Sequence, residues 1–439
     1  MKLNNISKIG LVLLLTVTGL SNTQAQVWTL QQCIDSAVQN NYNVRIAGYE
    51  LMQAKEKVLE AKTNLLPKIN TAFDYRYFTN LPYQLMPASI FGGPAGTYKE
   101  AQFGVPHNIN ANVQLIYPLY NPVLQANIKT IQTAEEVVSL QKIKSKEDIA
   151  LEVSNVYYNA QILISQQLFI DSNIVNSRKL LAVMQLLYQQ KMAKGTDVEK
   201  VNLQLSQLLT QKETVQNQYY QVINVLKFLI GKLPDDNISI EPNPGKNEYQ
   251  LLTDNPLTEI KLAEKQISFL QTEKKSILKS KLPVINLNGF YGTTGFAQTG
   301  PNDFLKFYPL GYAGVQVIMP LYTGNATKHK IKGKEIEIEK ATVKADMLKA
   351  KNNVDKLNNA YQLSIAEKNL HSIQQQIDFA KTIYTKTLLQ QKEGVAALTD
   401  VLLADNAVRE AQQNYIAALI ALRRAELENK KLTGNLLIK

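Results

Sequence analysis

The chain has 439 residues, with 48 lysines and arginines against 37 acids, a formal charge of +11. Its single cysteine, Cys33, excludes an intramolecular disulfide, and its three histidines, His107, His329 and His371, are too scattered for a metal motif. The basic excess is dispersed, which reads as solvated helix surface and not as a nucleic-acid footprint.

The first element is a leader. Lys2 and Lys8 precede an apolar run from Ile9 to Leu20, and Thr23-Gln24-Ala25 ends in a small residue, the parts of a secretory signal peptide with cleavage after Ala25. A membrane anchor is the alternative, although the run is short for a span of about 20 residues. Removing the two leader lysines takes the charge from +11 to +9. No later run is apolar enough to cross a bilayer as a helix; Tyr415 to Leu422 is stopped by Arg423 and Arg424. A membrane crossing by this chain is therefore made by strands.

After the leader, Cys33 sits among Leu30, Ile34 and Ala37 as a small buried hydrophobe, with a reactive thiol as the minor alternative. A helix is expected over Asn43 to Leu66. From Ile69 to Tyr77 odd positions read Ile, Thr, Phe, Tyr, Tyr, and even positions from Asn70 read Asn, Ala, Asp, Arg. This alternation marks a strand. A long loop over Asn80 to Pro106 follows and would include His107 at its end. Ile109 to Leu119 alternates again, against Asn108, Asn110, Asn112 and Gln114.

Asn121-Pro122 is an N-cap with proline at the first helical position. From Pro122 to Met192 there are 71 residues with no glycine and no further proline, about 105 Å of helix. Gly195 marks a helical hairpin tip in left-handed conformation, and Thr196-Asp197-Val198-Glu199 has the capping-box spacing that restarts the chain as a helix to Ile230.

The order then recurs. Asn255-Pro256 reads as a second N-cap, and a helix runs to Lys281. Ile285, Leu287 and Tyr291 alternate with Asn286 and Asn288, and Gly292 to Gly295 reads as turn chemistry. Ala313, Val315, Val317, Met319 and Leu321 alternate with Tyr312, Gly314 and Gln316. A helix from Ala326 reaches a second tip at Gly394, and the last runs from Val395 to Lys431. Leu65-Leu66-Pro67-Lys68-Ile69-Asn70 is matched by Lys281-Leu282-Pro283-Val284-Ile285-Asn286, and Tyr117-Pro118-Leu119-Tyr120 by Met319-Pro320-Leu321-Tyr322. Pro67, Pro118, Pro283 and Pro320 lie at the expected helix–strand junctions. The expected organisation is a signal peptide 1–25, a first repeat 26–240 and a second repeat 241–439, each a helix, two strands and a long helical hairpin.

The helices carry narrow seams. Ile149, Val156, Leu163 and Ile170 are seven apart, as are Val401, Val408, Tyr415 and Leu422; Val201, Leu205, Leu208, Lys212 and Val215 advance by threes and fours. These fit coiled coils, with an ordinary bundle core as the bland alternative. The shorter helices of the first repeat make about 59 residues in all against 71, and those of the second about 63 against 68. A long helix paired with two shorter ones end to end fits both.

Four strands per chain cannot close a barrel, and an open edge in lipid leaves amides unpaired at several kcal/mol each. Several protomers sharing one barrel solve this, with apolar positions toward lipid and Asn70, Asp74, Arg76, Asn110, Asn112, Gln114, Asn286, Asn288 and Gln316 toward the lumen.

These motifs resemble the TolC-like outer-membrane efflux protein family, together with the opening Trp28-Thr29-Leu30-Gln31-Gln32-Cys33-Ile34-Asp35-Ser36-Ala37, Asn40-Asn41, and Gly394 followed by Thr399-Asp400-Val401-Leu402. The resemblance covers nearly the whole mature chain. It implies mixed α and β architecture: long coiled-coil helices forming an α-barrel tunnel in the periplasm, and a shared trimeric β-barrel of 12 strands in the outer membrane. It also implies a homotrimer that meets outer-membrane lipid and docks through the hairpin tips, at Gly195, Thr196, Gly394 and Val395, onto a periplasmic adaptor protein and an inner-membrane pump. Some members carry an acidic aperture ring before the second tip; Tyr384 to Lys392 has Lys386 and Lys392 and no acid, so no aperture residues are assigned.

A second class, a non-transporting coiled-coil stalk or adhesin, accounts for the helices and leaves the strands and the repeat unexplained. No enzyme is expected: there is no nucleophile elbow, phosphate loop or Cys/His metal spacing, hence no cofactor, and no nucleic acid as partner. His329 and His371 fall on polar helix surface.

Overall fold

A computed structural model describes residues 26–242, 254–299 and 304–437. The leader, residues 1–25, lies outside the described residues. In chain order come β1 (Gln26–Trp28), α1 (Leu30–Asn40), α2 (Tyr42–Thr63), β2 (Lys68–Tyr77), β3 (Tyr83–Pro87), β4 (Tyr98–Gln102), β5 (His107–Tyr120), α3 (Pro122–Gln189) and α4 (Gly195–Leu229). Then follow β6 (Ile238–Ile240), α5 (Thr258–Lys279), β7 (Val284–Gln298), β8 (Phe304–Ile318), α6 (Ala326–Lys392) and α7 (Leu398–Leu432). The pattern helix, two long strands, long helix, shorter helix thus runs twice. Helix α3 has 68 residues and α6 has 67, and Gly333 does not interrupt α6.

The chain divides into two compact units, each drawn from both halves of the sequence. One holds residues 38–151, 254–299, 304–369 and 421–437. It contains an antiparallel sheet of order β2-β5-β7-β8, with β2 and β8 at the edges. In the same unit α5 is tied to its neighbours by ion pairs: Lys265 to Glu136 of α3 at 2.7 Å, Lys274 to Glu335 of α6 at 3.0 Å, and Glu264 to Lys349 of α6 at 2.7 Å. These are half-exposed pairs, worth about 0–1 kcal/mol each, and they set register more than stability.

The other unit holds residues 26–37, 152–242 and 370–420. Strands β1 and β6 pair in parallel, and Tyr157 donates to the Trp28 carbonyl at 2.9 Å. Cys33 is fully buried, and burial pushes its thiol up to about 12, so it is inert packing. The seams meet as expected: Leu163, Ile170 and Ile174 of α3 bury against Leu208 and Val215 of α4, and Ile377 and Ala380 of α6 against Val408 and Ala411 of α7. Each large side chain buried there contributes roughly 1.5–3 kcal/mol. The one lysine interrupting the seam, Lys212, reaches Asp171 at 2.7 Å.

Several local expectations are corrected. Eight strands are described, not four, because the stretch expected as a loop forms the hairpin β3–β4 and because β1 and β6 pair. His107 is the first residue of β5; its Nδ1 lies 2.8 Å from the Tyr75 hydroxyl. Gly292 to Gly295 is strand interior: a Cβ at Gly292 would lie 2.7 Å from that of Asn112, and one at Gly295 would lie 2.6 Å from the Phe307 ring. Glycine here permits close strand contact and an aromatic cover, not a turn. Strand β8 ends at Ile318, which leaves Met319 and Leu321 outside it. Pro118 lies within β5, at its register shift, and not at its end.

The caps divide. Asn121 accepts from the Leu124 amide at 3.1 Å, as its sequence suggests. Asn255 caps nothing: α5 starts at Thr258, and Asn255 instead bonds Thr433 and Asn435 at 3.0 Å each. The capping role is outcompeted by partners that sequence spacing cannot reveal.

Candidate functional site

The sheet and the hairpin tips hold the residues that the strand alternation and the helix reversals single out. In an antiparallel sheet directly opposed residues share a face, so register decides what the strand alternation exposes together. Asn70 opposes Gln114, Asp74 opposes Asn110, and Asn286 opposes Gln316. Arg76 opposes Asn108, Asn112 lies between Ala72 and Gly292, and Asn288 between Ile116 and Gly314. All nine residues singled out by alternation thus lie on one face. Thr294 donates to Asn110 at 3.0 Å across β5 and β7, and Arg76 pairs with Asp74 at 2.9 Å.

That face is not uniformly polar. Phe290 opposes Tyr312, Leu310 opposes Gly292, and Phe296 lies diagonal to Tyr308, whose direct partner is Thr294. Phe290 and Tyr312 stack with ring centroids 5.3 Å apart, and the Phe296 and Tyr308 rings meet tilted at 5.9 Å. The β2–β5 half is amide- and charge-rich, and the β7–β8 half is aromatic beyond Asn288. Tyr312 stands among the even positions that the sequence pattern gives, while Phe290, Phe296 and Tyr308 lie where glycines and aromatics blur the alternation.

The opposite face carries Ile69, Phe73, Ile109, Val113, Leu115, Leu287, Val315 and Val317, with Tyr75, Tyr77 and His107 toward one end and Tyr117 toward the other. An apolar band between aromatic belts is the pattern of a strand surface in lipid. Among the described residues no helix is long and apolar enough to cross a membrane.

At the first tip α3 ends at Gln189, and Lys191 takes φ +60°. The Met192 amide donates to the Leu187 carbonyl at 2.8 Å. At the second, Gly394 takes φ +76° and the Val395 amide donates to the Gln390 carbonyl at 2.9 Å. Both are the left-handed stop that closes a helix end. The expectation that Gly195 is the left-handed residue is therefore wrong: Gly195 opens α4 with ordinary helical backbone. Nor does Thr196 cap α4; the N-cap is Lys194, with no side-chain cap. The helix restarts two residues earlier than the capping-box spacing suggests. Met192 and Val395, each following the left-handed residue, are 73% and 76% exposed, and Thr196 and Gly394 are exposed as well.

Behind the tips the two hairpins meet over a mixed core. Leu180, Met184 and Val201 pack with Leu398 and Val401. Asn173 of α3 donates to Gln412 of α7 at 2.8 Å, and Gln204 of α4 to Asp405 of α7. Asp405 is only 4% exposed. Burial raises its pKa, opposed by Arg409 at 3.3 Å and by the Gln204 hydrogen bond. Burial and then the Asp405 charge push Tyr384 up to about 12. Asp405 was not singled out in sequence; a lone acid on a Gln-rich helix gives no signal.

No curated protein sequence matches the chain significantly. Residues 258–435 match the family described as outer membrane efflux protein. The outer membrane protein VceC from Vibrio cholerae superposes with a TM-score of 0.74 at 14% identity, over 92% of this chain and 96% of VceC. CusC gives 0.74 at 12%, over 94% and 95%, and the open-state outer membrane channel MtrE of Neisseria gonorrhoeae gives 0.68 at 15%, over 93% and 89%. Residues 258–435 thus resemble the outer membrane efflux protein family, and over more than nine-tenths of its length the chain has the fold of these outer-membrane channels.

Proposed function

We propose that three copies of this chain form one outer-membrane export duct, with twelve strands closing a barrel whose polar face lines water, and with the helices continuing it into the periplasm. The observation that carries this reading is the two-faced sheet with β2 and β8 at its open edges. Edges in lipid must be paired, and a second and third copy supply the missing strands at no cost in new sequence. Asn70, Asp74, Arg76, Asn110, Asn112, Gln114, Asn286, Asn288 and Gln316 are the lumen residues in this reading. The chain is organised as repeats 26–240 and 241–439 behind a cleaved leader.

The hairpin tips are the docking surface for a periplasmic adaptor that links the duct to an inner-membrane pump. Gly195, Thr196, Gly394 and Val395 belong to it, and Met192 joins them as the counterpart of Val395. A non-transporting stalk needs no two-faced sheet, and nothing favours it. The duct is a conduit and carries no catalytic role. Outer-membrane extracts in detergent should contain a trimer that conducts ions across a planar bilayer. A stable monomer with full strand content, or a trimer without conductance, would end the reading.

A further inference from the structure

We propose that the hairpin unit holds a binding site for an extended, multivalent oxyanion such as a linear polyphosphate, in the cavity between α3, α6 and α7. The cavity measures about 420 Å³, the size of a small-molecule site. Three lysines line it: Lys179 from α3, and Lys381 and Lys392 from α6. None of the three pairs with a carboxylate among the described residues, whereas Lys265 and Lys274 of α5 and Lys334 and Lys349 of α6 do. Three unpaired cations around one hollow repel one another unless an anion joins them.

The spacing selects the shape of that anion. Lys381 and Lys392 are eleven residues apart, which is three turns and returns to the same side of the helix about 16 Å further on. Thr385 and Leu388 continue the same line between them. A compact ion satisfies one end only; a chain of linked oxyanions spans both. The walls add neutral donors in Asn176, Thr385 and Gln412.

One carboxylate, Asp405, also lines the cavity. Its charge is already taken up by Arg409 at 3.3 Å and by the Gln204 amide, so it does not neutralise the lysines. The three lysines are exposed residues around the cavity, and their excess positive charge draws an anion toward it.

The test uses the purified full-length protein in detergent and inorganic tripolyphosphate as probe, titrated calorimetrically at constant ionic strength. Saturable binding, one site per chain, is expected, with orthophosphate weaker by at least ten-fold. Lys179→Gln, Lys381→Gln, Lys392→Gln together should weaken tripolyphosphate at least ten-fold, and the corresponding triple arginine variant should retain it. A control with the same charge loss elsewhere, Lys55→Gln, Lys57→Gln, Lys62→Gln, should bind as the parent does. Should the triple glutamine variant fail to fold, Lys179→Gln and Lys381→Gln singly carry the test, each weakening binding several-fold. No saturable binding by the parent, equal loss in the control, or unchanged binding in the cavity variants would each overturn the site.

Discussion

Lys191 and Gly394 occupy the same position in the two hairpin turns: each is the left-handed residue, at φ +60° and +76°, and each is followed by an exposed apolar side chain whose amide closes the preceding helix. Glycine holds that conformation without strain, whereas an L side chain pays about 1–2 kcal/mol. The first tip is therefore strained where the second is not. Lys191→Gly should stabilise its turn by about 1 kcal/mol, and Gly394→Val should destabilise the other by about 1–2 kcal/mol. Gly195→Val, at helical φ and 3.5 Å from the Tyr188 ring, should change little beyond helix propensity. Limited proteolysis of the folded protein reads this directly: cleavage at the first tip should slow in Lys191→Gly, and cleavage at the second should quicken in Gly394→Val. Equal rates in all three variants would show that the turn backbone is not what holds the tips.

Met192 and Val395 offer the largest apolar exposure at the tips, and an adaptor that docks there buries them. Replacing both by aspartate removes the apolar contact without touching the left-handed residues. Trimer abundance in the outer membrane should stay normal while cells become sensitive to the exported compounds. Undiminished export by the double variant would remove these side chains from docking.

The shared sheet face makes a labelling prediction. In a Cys33→Ser background, cysteines at Asn110 and Asn112 should react with small water-soluble thiol reagents in intact membranes. Those at Val113 and Leu115, on the opposite face, should be shielded by lipid. Equal labelling of both pairs would contradict the assignment of one face to water.

Asp405 gives a pH dependence whose sign follows from its burial. Its folded pKa lies above the ordinary value of 3.8, so the folded state binds the proton more tightly than the unfolded chain. Stability is therefore gained as pH falls through the folded pKa toward the unfolded one, and lost as pH rises through it. The carboxyl faces Arg409 and Gln204, with Tyr384 close by and neutral throughout this range. Thermal unfolding in mildly acidic buffers should show this rise in the parent, and Asp405→Asn should flatten it. A parent and variant with parallel profiles would mean that another group titrates.

Periodicity alone determined the four long strands and the long helices of this protein. Alternation over Ile69 to Tyr77 and Ile109 to Leu119 and the seams at Ile149, Leu163 and Val401 are repeating local patterns, and an element with one sidedness can bury only one side. The Asn121 cap was equally legible, because its partner lies three residues away. The tertiary structure decided whatever depends on distant partners. Gly292 and Gly295 carry turn chemistry in isolation, but β5 and β8 provide strand partners on both sides and a ring over the second. The aromatic half of the polar face exists only once β7 and β8 are in register. At the first tip a lysine, Lys191, takes the left-handed turn and the nearby Gly195 does not, while Leu187 before the turn and Ala193 after it pack on one cluster with Val201 and Leu398. Asp405 became a titrating group through burial between hairpins, and burial by residues two hundred positions away leaves no mark in a local pattern.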